Sequence, residues 1–88
     1  MKFPIKGSCQ CGQVKFTLHR KPNMVFACHC TECQKLSAGI GSTTMALRRE
    51  ALVVKTGSLK RWERMADSGN RNVAHFCPDC GNRIFHEN

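Results

Sequence analysis

Seven cysteines occur in three closely spaced groups, and their spacing is the strongest chemical signal in the sequence. The groups are Cys9-Gln10-Cys11, Cys28-His29-Cys30-Thr31-Glu32-Cys33 and Cys77-Pro78-Asp79-Cys80. A C-x-C pair places two thiols on one face of an extended segment, because strand side chains alternate. A C-x-x-C pair brings two thiols together across a turn, and the following Gly81 can take the left-handed conformation that such a turn often needs. Both spacings suit adjacent corners of a tetrahedron of thiolate ligands around a metal.

Two further observations favour metal binding over disulfide bonds. The first twelve residues contain no apolar segment of a secretory signal, and the longest apolar runs, residues 24–28 and 51–54, are far too short to cross a membrane. We therefore expect a cytoplasmic protein with no membrane partner, in which thiols stay reduced. The number of cysteines is also odd, which would leave one thiol over in any disulfide scheme. Zinc is the metal that best fits such ligands.

The counts of the three groups suggest two different zinc sites. The outer pairs supply four ligands for a closed structural site: Cys9, Cys11, Cys77 and Cys80. The middle group supplies three: Cys28, Cys30 and Cys33. Three protein ligands with an exchangeable fourth position are typical of catalytic rather than structural zinc. The second zinc would accordingly be catalytic or labile.

Three alternatives to this grouping remain open at this point. The middle triplet could borrow one cysteine from an outer pair, which would leave a second three-ligand site. All seven cysteines could be scaffold ligands, with His29 or another donor in the last position. Some of the cysteines could also be simple buried thiols.

Other candidate residues give weaker signals. His29 is a candidate fourth ligand or acid–base group, and Glu32 a candidate proton shuttle, although a solvated histidine and a carboxylate that favours the helix dipole explain them equally well. We interpret His75 as a half-buried strand histidine and Trp62 as a core residue. The basic side chains of residues 60–64 form either a solvated face or a carboxylate-binding site.

The elements that must position these residues are short and mostly β. Leu, Ile, Val and Phe total only 18 of the 88 residues, so the hydrophobic core by itself is small and the metal sites must complete it. Apolar alternation and turn residues predict the following strands: Val14–Leu18, Met24–Cys28, Thr43–Leu47, Leu52–Lys55 and Asn72–Phe76. Residues 59–65 have apolar side chains at helical spacing but no cap, which leaves that segment ambiguous.

One short helix is predicted after the middle cysteine group. Thr31 followed by Gln34 matches a capping box with Thr31 as N-cap. Leu36 and Ile40 continue the apolar face that begins at Cys33. Gly39 can end the helix.

The three cysteine motifs occur with the flanking residues and in the order of a known family. The segments that carry the similarity are Gly7-Ser8-Cys9-Gln10-Cys11-Gly12-Gln13-Val14-Lys15-Phe16, Cys28-His29-Cys30-Thr31-Glu32-Cys33-Gln34-Lys35-Leu36-Ser37 and Phe76-Cys77-Pro78-Asp79-Cys80-Gly81. They resemble the glutathione-dependent formaldehyde-activating enzyme family, which includes the centromere protein V type. The stretch 57–62 also resembles the family's segment before its last cysteine pair, which favours a strand there.

The resemblance implies a fold, two zinc ions and a reaction. The fold is the Mss4-like arrangement of several small coiled antiparallel β-sheets with one short helix. The outer four cysteines correspond to the family's structural zinc, and the middle three, Cys28, Cys30 and Cys33, to its catalytic zinc. The implied activity is that of a carbon–sulfur lyase, which adds the thiol of glutathione to formaldehyde or a related small aldehyde. We expect residues 1–88 to form a single domain, which is shorter at its C-terminus than most family members.

The charge leaves a second class of function open. The formal net charge is +8, although metal-bound thiolates would lower it. A basic surface suits an anionic thiol, but it also suits a non-catalytic zinc module that binds a protein partner or nucleic acid. The chain has no Tyr and no stripe of alternating aromatic and basic residues, so we do not expect nucleic acid to be the partner. The sequence does not specify an oligomeric state.

Overall fold

Eight short strands, one α-helix and one 3₁₀ helix make up the part of the chain that the computed structural model describes, residues 2–66 and 69–87. The elements are β1 (Ile5–Ser8), β2 (Lys15–Leu18), β3 (Met24–Cys28), α1 (Thr31–Ser37), β4 (Ser42–Ala46), the 3₁₀ helix (Arg49–Ala51), β5 (Leu52–Thr56), β6 (Lys60–Met65), β7 (Arg71–Phe76) and β8 (Arg83–Glu87). The predicted mainly β fold with one short helix is confirmed. No helix among these residues is long and apolar enough to cross a membrane.

The strands form three small antiparallel sheets. Sheet A has the order β1-β2-β5, sheet B pairs β3 with β4, and sheet C has the order β6-β7-β8. The most extensive contacts between elements lie within a sheet or between α1 and β4. The sheets must therefore be held to one another mainly by the loops and side chains at their ends.

All five predicted strands are present with small shifts at their ends. The ambiguous segment is a strand, β6, because it pairs along its whole length with β7, from Lys60 opposite Phe76 to Met65 opposite Arg71. The sequence analysis did not predict β1 or β8, because β1 contains Lys6 and Gly7 and β8 begins with an arginine. Both are edge strands whose pairing with a central strand, rather than their own composition, makes them regular.

The N-cap of the helix lies one residue earlier than predicted. Cys30, not Thr31, is the N-cap, and its Sγ accepts the N–H of Cys33 at 3.4 Å. The amide of Gln34 reaches back to the carbonyl oxygen of His29 at 2.9 Å instead of completing a box with Thr31. A sulfur atom in the capping position orients the thiol toward the helix N-terminus, which later matters for its chemistry.

The C-terminal end of the helix also differs from the prediction. Ala38 takes the left-handed conformation, with φ of 55°, and the N–H of Gly39 bonds to the carbonyl oxygen of Gln34 at 3.2 Å. Ile40 was predicted to extend the apolar face of the helix, but it is 84% exposed. The helix ends before Ile40 can reach the buried side, so that prediction is wrong.

The largest buried cluster lies where sheets A and C meet. Cys9, Val14 and Cys77 are its buried centre, and partly buried side chains of Val54, Leu59, Cys80 and Ile84 pack around them. Two of the three central residues are cysteines, so the core and the outer cysteine cluster are the same part of the molecule.

Two polar clamps join the loops around this cluster. The side-chain amide of Gln13 donates to the Ser58 carbonyl oxygen at 2.9 Å and accepts the Ser58 N–H at 3.1 Å. The N–H of Gln10 donates to Oδ1 of Asn82 at 3.1 Å. The first clamp fixes the loop before β2 to the loop before β6, and the second fixes it to the loop before β8.

Gly57 is required for the first clamp, and its replacement tests this arrangement. Its φ is +97°, and a Cβ there would lie 2.3 Å from the Gln13 carbonyl oxygen. We expect Gly57→Ala to reduce the free energy of unfolding by about 3 kcal/mol, at the upper end of single-substitution effects, because strain and a backbone clash add.

Gly69→Ala is the matched control, because φ is +88° there and no atom of the residues that the structure describes lies within 4 Å of the added methyl. We expect it to cost only the left-handed strain, about 1–2 kcal/mol. Urea unfolding of both variants measures the difference, and equal losses would contradict the clash.

Candidate metal centres and the adjoining cavity

The outer cysteines come together from two loops that are distant in the sequence. Cys9 and Cys11 lie in the turn between β1 and β2, and Cys77 and Cys80 in the turn between β7 and β8. Gly81 after the second pair has φ of +78°, the left-handed conformation predicted for it. The sulfur atoms of all four cysteines lie within 4.8 Å of one another. This group, the four-thiol cluster, therefore joins sheet A to sheet C.

The spacing of these sulfur atoms fits a tetrahedral metal rather than disulfide bonds. The Sγ of Cys11 lies 3.6 Å from that of Cys9 and 3.7 Å from that of Cys77. A tetrahedron with metal–sulfur bonds of about 2.3 Å, the zinc value, has sulfur–sulfur edges of about 3.8 Å. A disulfide bond would require about 2.05 Å. The donor set and its spacing thus fit zinc.

Hydrogen bonds point at the sulfur atoms of the four-thiol cluster. The N–H of Val14 donates to Cys9 Sγ at 3.3 Å, and Nε2 of Gln13 donates to Cys77 Sγ at 3.2 Å. Such donors favour thiolates over thiols and commonly surround metal-binding cysteines. Gln13, which also clamps Ser58, therefore links the fold around the cluster to the charge of its sulfur atoms.

The pKa values of the cluster show why it needs a cation. Burial raises the pKa of the Cys77 thiol, but the N–H groups of Cys80 and Asp79 and the Gln13 amide together lower it to about 6. The N–H of Gln13 lowers the pKa of Cys11, but burial and the neighbouring sulfur atoms outweigh it and raise that pKa to about 12. Without a metal, some of the four cysteines favour the thiolate form, but repulsion between the sulfur atoms prevents all four from ionising together. A divalent cation removes that repulsion.

The middle cysteines form a second group around the start of the helix. Cys28 ends β3, Cys30 caps α1 and Cys33 lies in its first turn, with the three sulfur atoms within 4.8 Å of one another. The N–H of Cys33, followed by the neighbouring thiols, lowers the pKa of Cys30. This group is called the three-thiol cluster below.

Ser42 on the neighbouring strand β4 completes the surroundings of the three-thiol cluster. Its hydroxyl lowers the pKa of Cys33, but the sulfur atom of Cys28, partial burial and the sulfur atom of Cys30 outweigh it, so the pKa of Cys33 is raised. Among the described residues the buried Ser42 Oγ makes no other hydrogen bond, and its contact with Cys33 does not have ordinary hydrogen-bond geometry. A Cys33 thiolate is the acceptor that its position offers, which again fits a cluster that holds a cation.

The two clusters differ in their exposure to solvent. In the four-thiol cluster Cys9 is 3% and Cys77 0% exposed, while Cys80 is partly exposed and Cys11 exposed. In the three-thiol cluster Cys30 is exposed, and Cys28 and Cys33 are partly exposed. Two thiols of the first cluster are therefore buried in the core, whereas none of the second is buried.

A cavity of about 350 Å³ adjoins the three-thiol cluster, and all three cysteines lie in its wall. The helix and sheet B supply one side of the wall, and β6, β7 and β8 of sheet C supply the other. Phe26 and Trp62 contribute aromatic surface. The volume and mixed lining are those of a site for a small molecule.

The wall of this cavity carries more positive than negative charge. Lys35, Arg64 and Arg83 are its cationic residues, and Glu32 is an acidic residue beside them. Partial burial and the charges of Arg83 and Arg64 lower the pKa of His86, also in the wall, below its ordinary value of 6.5. His86 is therefore neutral at pH 7, and the cavity favours anions.

The structure places the weaker sequence candidates in different positions. His29 lies outside the three-thiol cluster, with Nδ1 3.1 Å from the Ile40 carbonyl oxygen. Glu32 is in the cavity wall, with Oε2 3.8 Å from Nε of Arg64. Arg64 therefore borders the cavity, while Lys60 and Arg61 are exposed.

Of the predictions for His75 and Trp62, the first is confirmed and the second is wrong. His75 is the half-buried strand histidine predicted: it stacks on Phe85 with ring centroids 4.3 Å apart, and its Nε2 lies 3.0 Å from Oε1 of Glu87. The prediction of Trp62 as a core residue is wrong, since it is 49% exposed. It lies on β6, an edge strand, and faces the cavity instead of the core.

The sequence analysis did not identify Arg83 and His86 as site residues. Both lie on β8, which was not predicted as a strand, about fifty residues after the cysteines whose cavity they share. Only the pairing of β8 with β7 brings them there. No local motif marks either position.

Comparison with models of known protein families gives a match over nearly the whole chain. The family model of the glutathione-dependent formaldehyde-activating enzyme matches residues 4–88, and so covers both cysteine clusters and the cavity wall. No individual curated protein matches the chain significantly.

Substitution of one cysteine in each cluster tests their different roles. We expect Cys80→Ser to unfold the chain, because structural zinc supplies roughly 10 kcal/mol or more in small domains. We expect Cys30→Ser to leave the fold largely intact and to remove one metal ion. Circular dichroism and metal analysis measure both effects, and an equal loss of structure in the two variants would contradict the assignment.

The titration of His86 tests the positive field in the cavity. Its folded pKa is lowered, so folding disfavours protonation and the chain loses stability as the pH falls below about 6.5, the unfolded value. We expect an NMR-detected pKa below 6.5 in the native chain and a higher one in Arg83→Gln. Arg61→Gln, whose side chain is exposed, should change it little, and a pKa unchanged in Arg83→Gln would contradict the field.

Proposed function

Because the chain belongs to the glutathione-dependent formaldehyde-activating enzyme family, we propose that it is a zinc-dependent carbon–sulfur lyase of the cytoplasm, which adds the thiol of glutathione to formaldehyde or a related small aldehyde. The observation that carries the proposal is the cavity beside the three-thiol cluster. An incomplete, accessible set of ligands in the wall of a small-molecule cavity is the arrangement of a catalytic metal rather than a structural one.

The two clusters have separate roles in this proposal. Cys9, Cys11, Cys77 and Cys80 hold a structural zinc that joins sheets A and C. Cys28, Cys30 and Cys33 hold the catalytic zinc. When bound there, zinc supplies a Lewis acid that lowers the pKa of a substrate thiol. We treat residues 1–88 as one domain, because the structural cluster ties the two ends of the chain together.

The chain's own residues bind and orient the reactants. The aromatic surface of Phe26 and Trp62 excludes water from part of the cavity, and the basic side chains attract an anionic thiol. Holding a thiol and an aldehyde in one small cavity makes their reaction effectively unimolecular. The proposal therefore assigns much of the catalytic effect to positioning.

The reaction also requires one proton transfer. The substrate thiol loses its proton to a base, the thiolate sulfur attacks the carbonyl carbon so that a C–S bond forms as the π bond of the carbonyl breaks, and the oxygen takes up that proton to become a hydroxyl group. Glu32 and His86 in the cavity wall can hold that proton. His86 is neutral at pH 7, so its imidazole has both a donor and an acceptor nitrogen.

Exchange NMR with ¹³C-formaldehyde and glutathione tests this function. The two reactants combine slowly by themselves, so the measured quantity is the rate of exchange between free formaldehyde and its glutathione adduct. We expect the zinc-loaded chain to raise this rate at least about tenfold above the spontaneous one, as acid–base and positioning effects of this kind commonly do. Cys30→Ser should return the rate to the spontaneous value.

Thr31→Ser is the matched control, since Thr31 begins the same helix and is exposed but offers no sulfur ligand. We expect it to keep the wild-type rate. A chain that carries two zinc ions and leaves the exchange rate unchanged would contradict catalysis and favour a non-catalytic zinc module that binds a protein partner.

A further inference from the structure

Two arginines of sheet C line the same cavity as the three thiols, and their surroundings fix their guanidinium groups. Arg64 on β6 has only 25% of its side chain exposed, against 58% for its neighbour Arg61. Its Nε lies 3.8 Å from Oε2 of Glu32, which is an ion-pair distance but too long for a hydrogen bond. Arg64 thus reaches across from sheet C toward the helix that carries the thiols.

Arg83 is held in a different way, by the ring of Trp62. Its Cζ lies 5.7 Å from the ring centroid, a cation–π distance. A guanidinium group stacked on an aromatic face keeps the N–H groups at its edge free of that contact, in the plane where a carboxylate can bind two of them at once. The half-exposed Trp62 therefore supports the guanidinium group of Arg83 in the cavity, which it could not do from the core.

The charges of the cavity divide into two parts. Three cysteine thiolates around a divalent cation carry one net negative charge, and the arginines are positive. A thiol without a charged group needs only the three-thiol cluster, since its sulfur atom binds there. The arginines contribute to binding when the ligand also carries a negative group at some distance from its sulfur atom.

We propose that Arg64 and Arg83 form a carboxylate-binding subsite, which makes the cavity specific for thiols that carry a carboxylate. The inference rests on the proposed function, because the same cavity receives the thiol substrate. A carboxylate is the expected group, because the planar fork of arginine matches it and the cavity of about 350 Å³ suits a small thiol-containing peptide. The lowered pKa of His86 supports the subsite, since both arginines contribute to it.

Binding of S-methylglutathione to the zinc-loaded full chain tests the subsite by calorimetry. Its sulfur atom is capped and cannot supply a thiolate, so its affinity reports the rest of the cavity. We expect Arg64→Gln and Arg83→Gln each to raise its Kd on the order of tenfold, the effect of one lost charged hydrogen bond. Arg61→Gln, which removes the same charge outside the cavity, should change it less than twofold.

Changing the ligand avoids any effect of the substitutions on folding. Esterification of both carboxylates of S-methylglutathione should raise the Kd for the wild-type chain on the order of tenfold or more. 2-Mercaptoethanol, an uncharged thiol without a carboxylate, should bind the wild type and both cavity variants with equal affinity. The variants Arg64→Lys and Arg83→Lys keep the charge but lose the planar fork, and they should recover only part of the affinity.

Three results would overturn the subsite: no binding of S-methylglutathione by the wild type, an ester that binds as tightly as the free acid, or cavity variants that lose affinity for 2-mercaptoethanol and for S-methylglutathione equally. These outcomes are distinct from a failure of the proposed function. If carboxylate-dependent binding is observed while formaldehyde exchange is not accelerated, the subsite is supported and catalysis is not.

Discussion

The four-thiol cluster holds the two largest parts of this small protein together. Cys9 and Cys77 are at once its most buried members and two of the three residues at the centre of the largest buried cluster. Each sheet packs mainly within itself, so the loops that carry these cysteines provide much of the contact between sheets A and C. A chain with so few large apolar residues depends on such a link, since its burial of surface alone is small.

The same side chain has two different surroundings in this fold. In the four-thiol cluster Cys9 and Cys77 are buried in the core, and their sulfur atoms accept hydrogen bonds from the N–H of Val14 and the side chain of Gln13. Around the three-thiol cluster, two-stranded sheet B and a helix of two turns leave one side open, and sheet C stands across the resulting cavity. The number of ligands alone does not make a metal site reactive. The open fourth coordination position must also face a space that a substrate can enter.

Sheet C connects the two clusters. Its β7–β8 turn carries half of the four-thiol cluster, while β6 and β8 supply Arg64, Trp62 and Arg83 to the cavity. The positions of these cavity residues therefore depend on the structural cluster that anchors the sheet. Loss of that cluster would displace the arginines from the cavity although neither belongs to the cluster, so the stability of the fold and the lining of the cavity are linked through one sheet.

The sequence by itself determined the chemistry of the two clusters, because that chemistry is written in local spacing. C-x-C and C-x-x-C pairs place sulfur atoms within reach whatever the rest of the chain does, and alternation predicted five strands. It also indicated the left-handed Gly81 and the half-buried His75. The same local reasoning misplaced the cap of the helix by one residue, because the adjacent Cys30 and Thr31 both have a side chain that can accept a hydrogen bond at the helix start, and only the observed hydrogen bond distinguishes them.

Only the tertiary structure decided which distant residues share the cavity. Trp62 is half exposed because it lies on an edge strand, and β8 is a strand because β7 pairs with it. The pairing of β6, β7 and β8 brings Arg64, Arg83 and His86 to the thiols, although no motif links them in sequence. Strand pairing is a contact between distant segments and leaves no signature at fixed spacing, which is why the cysteine clusters were predictable and the positions of Arg83 and His86 in the cavity were not.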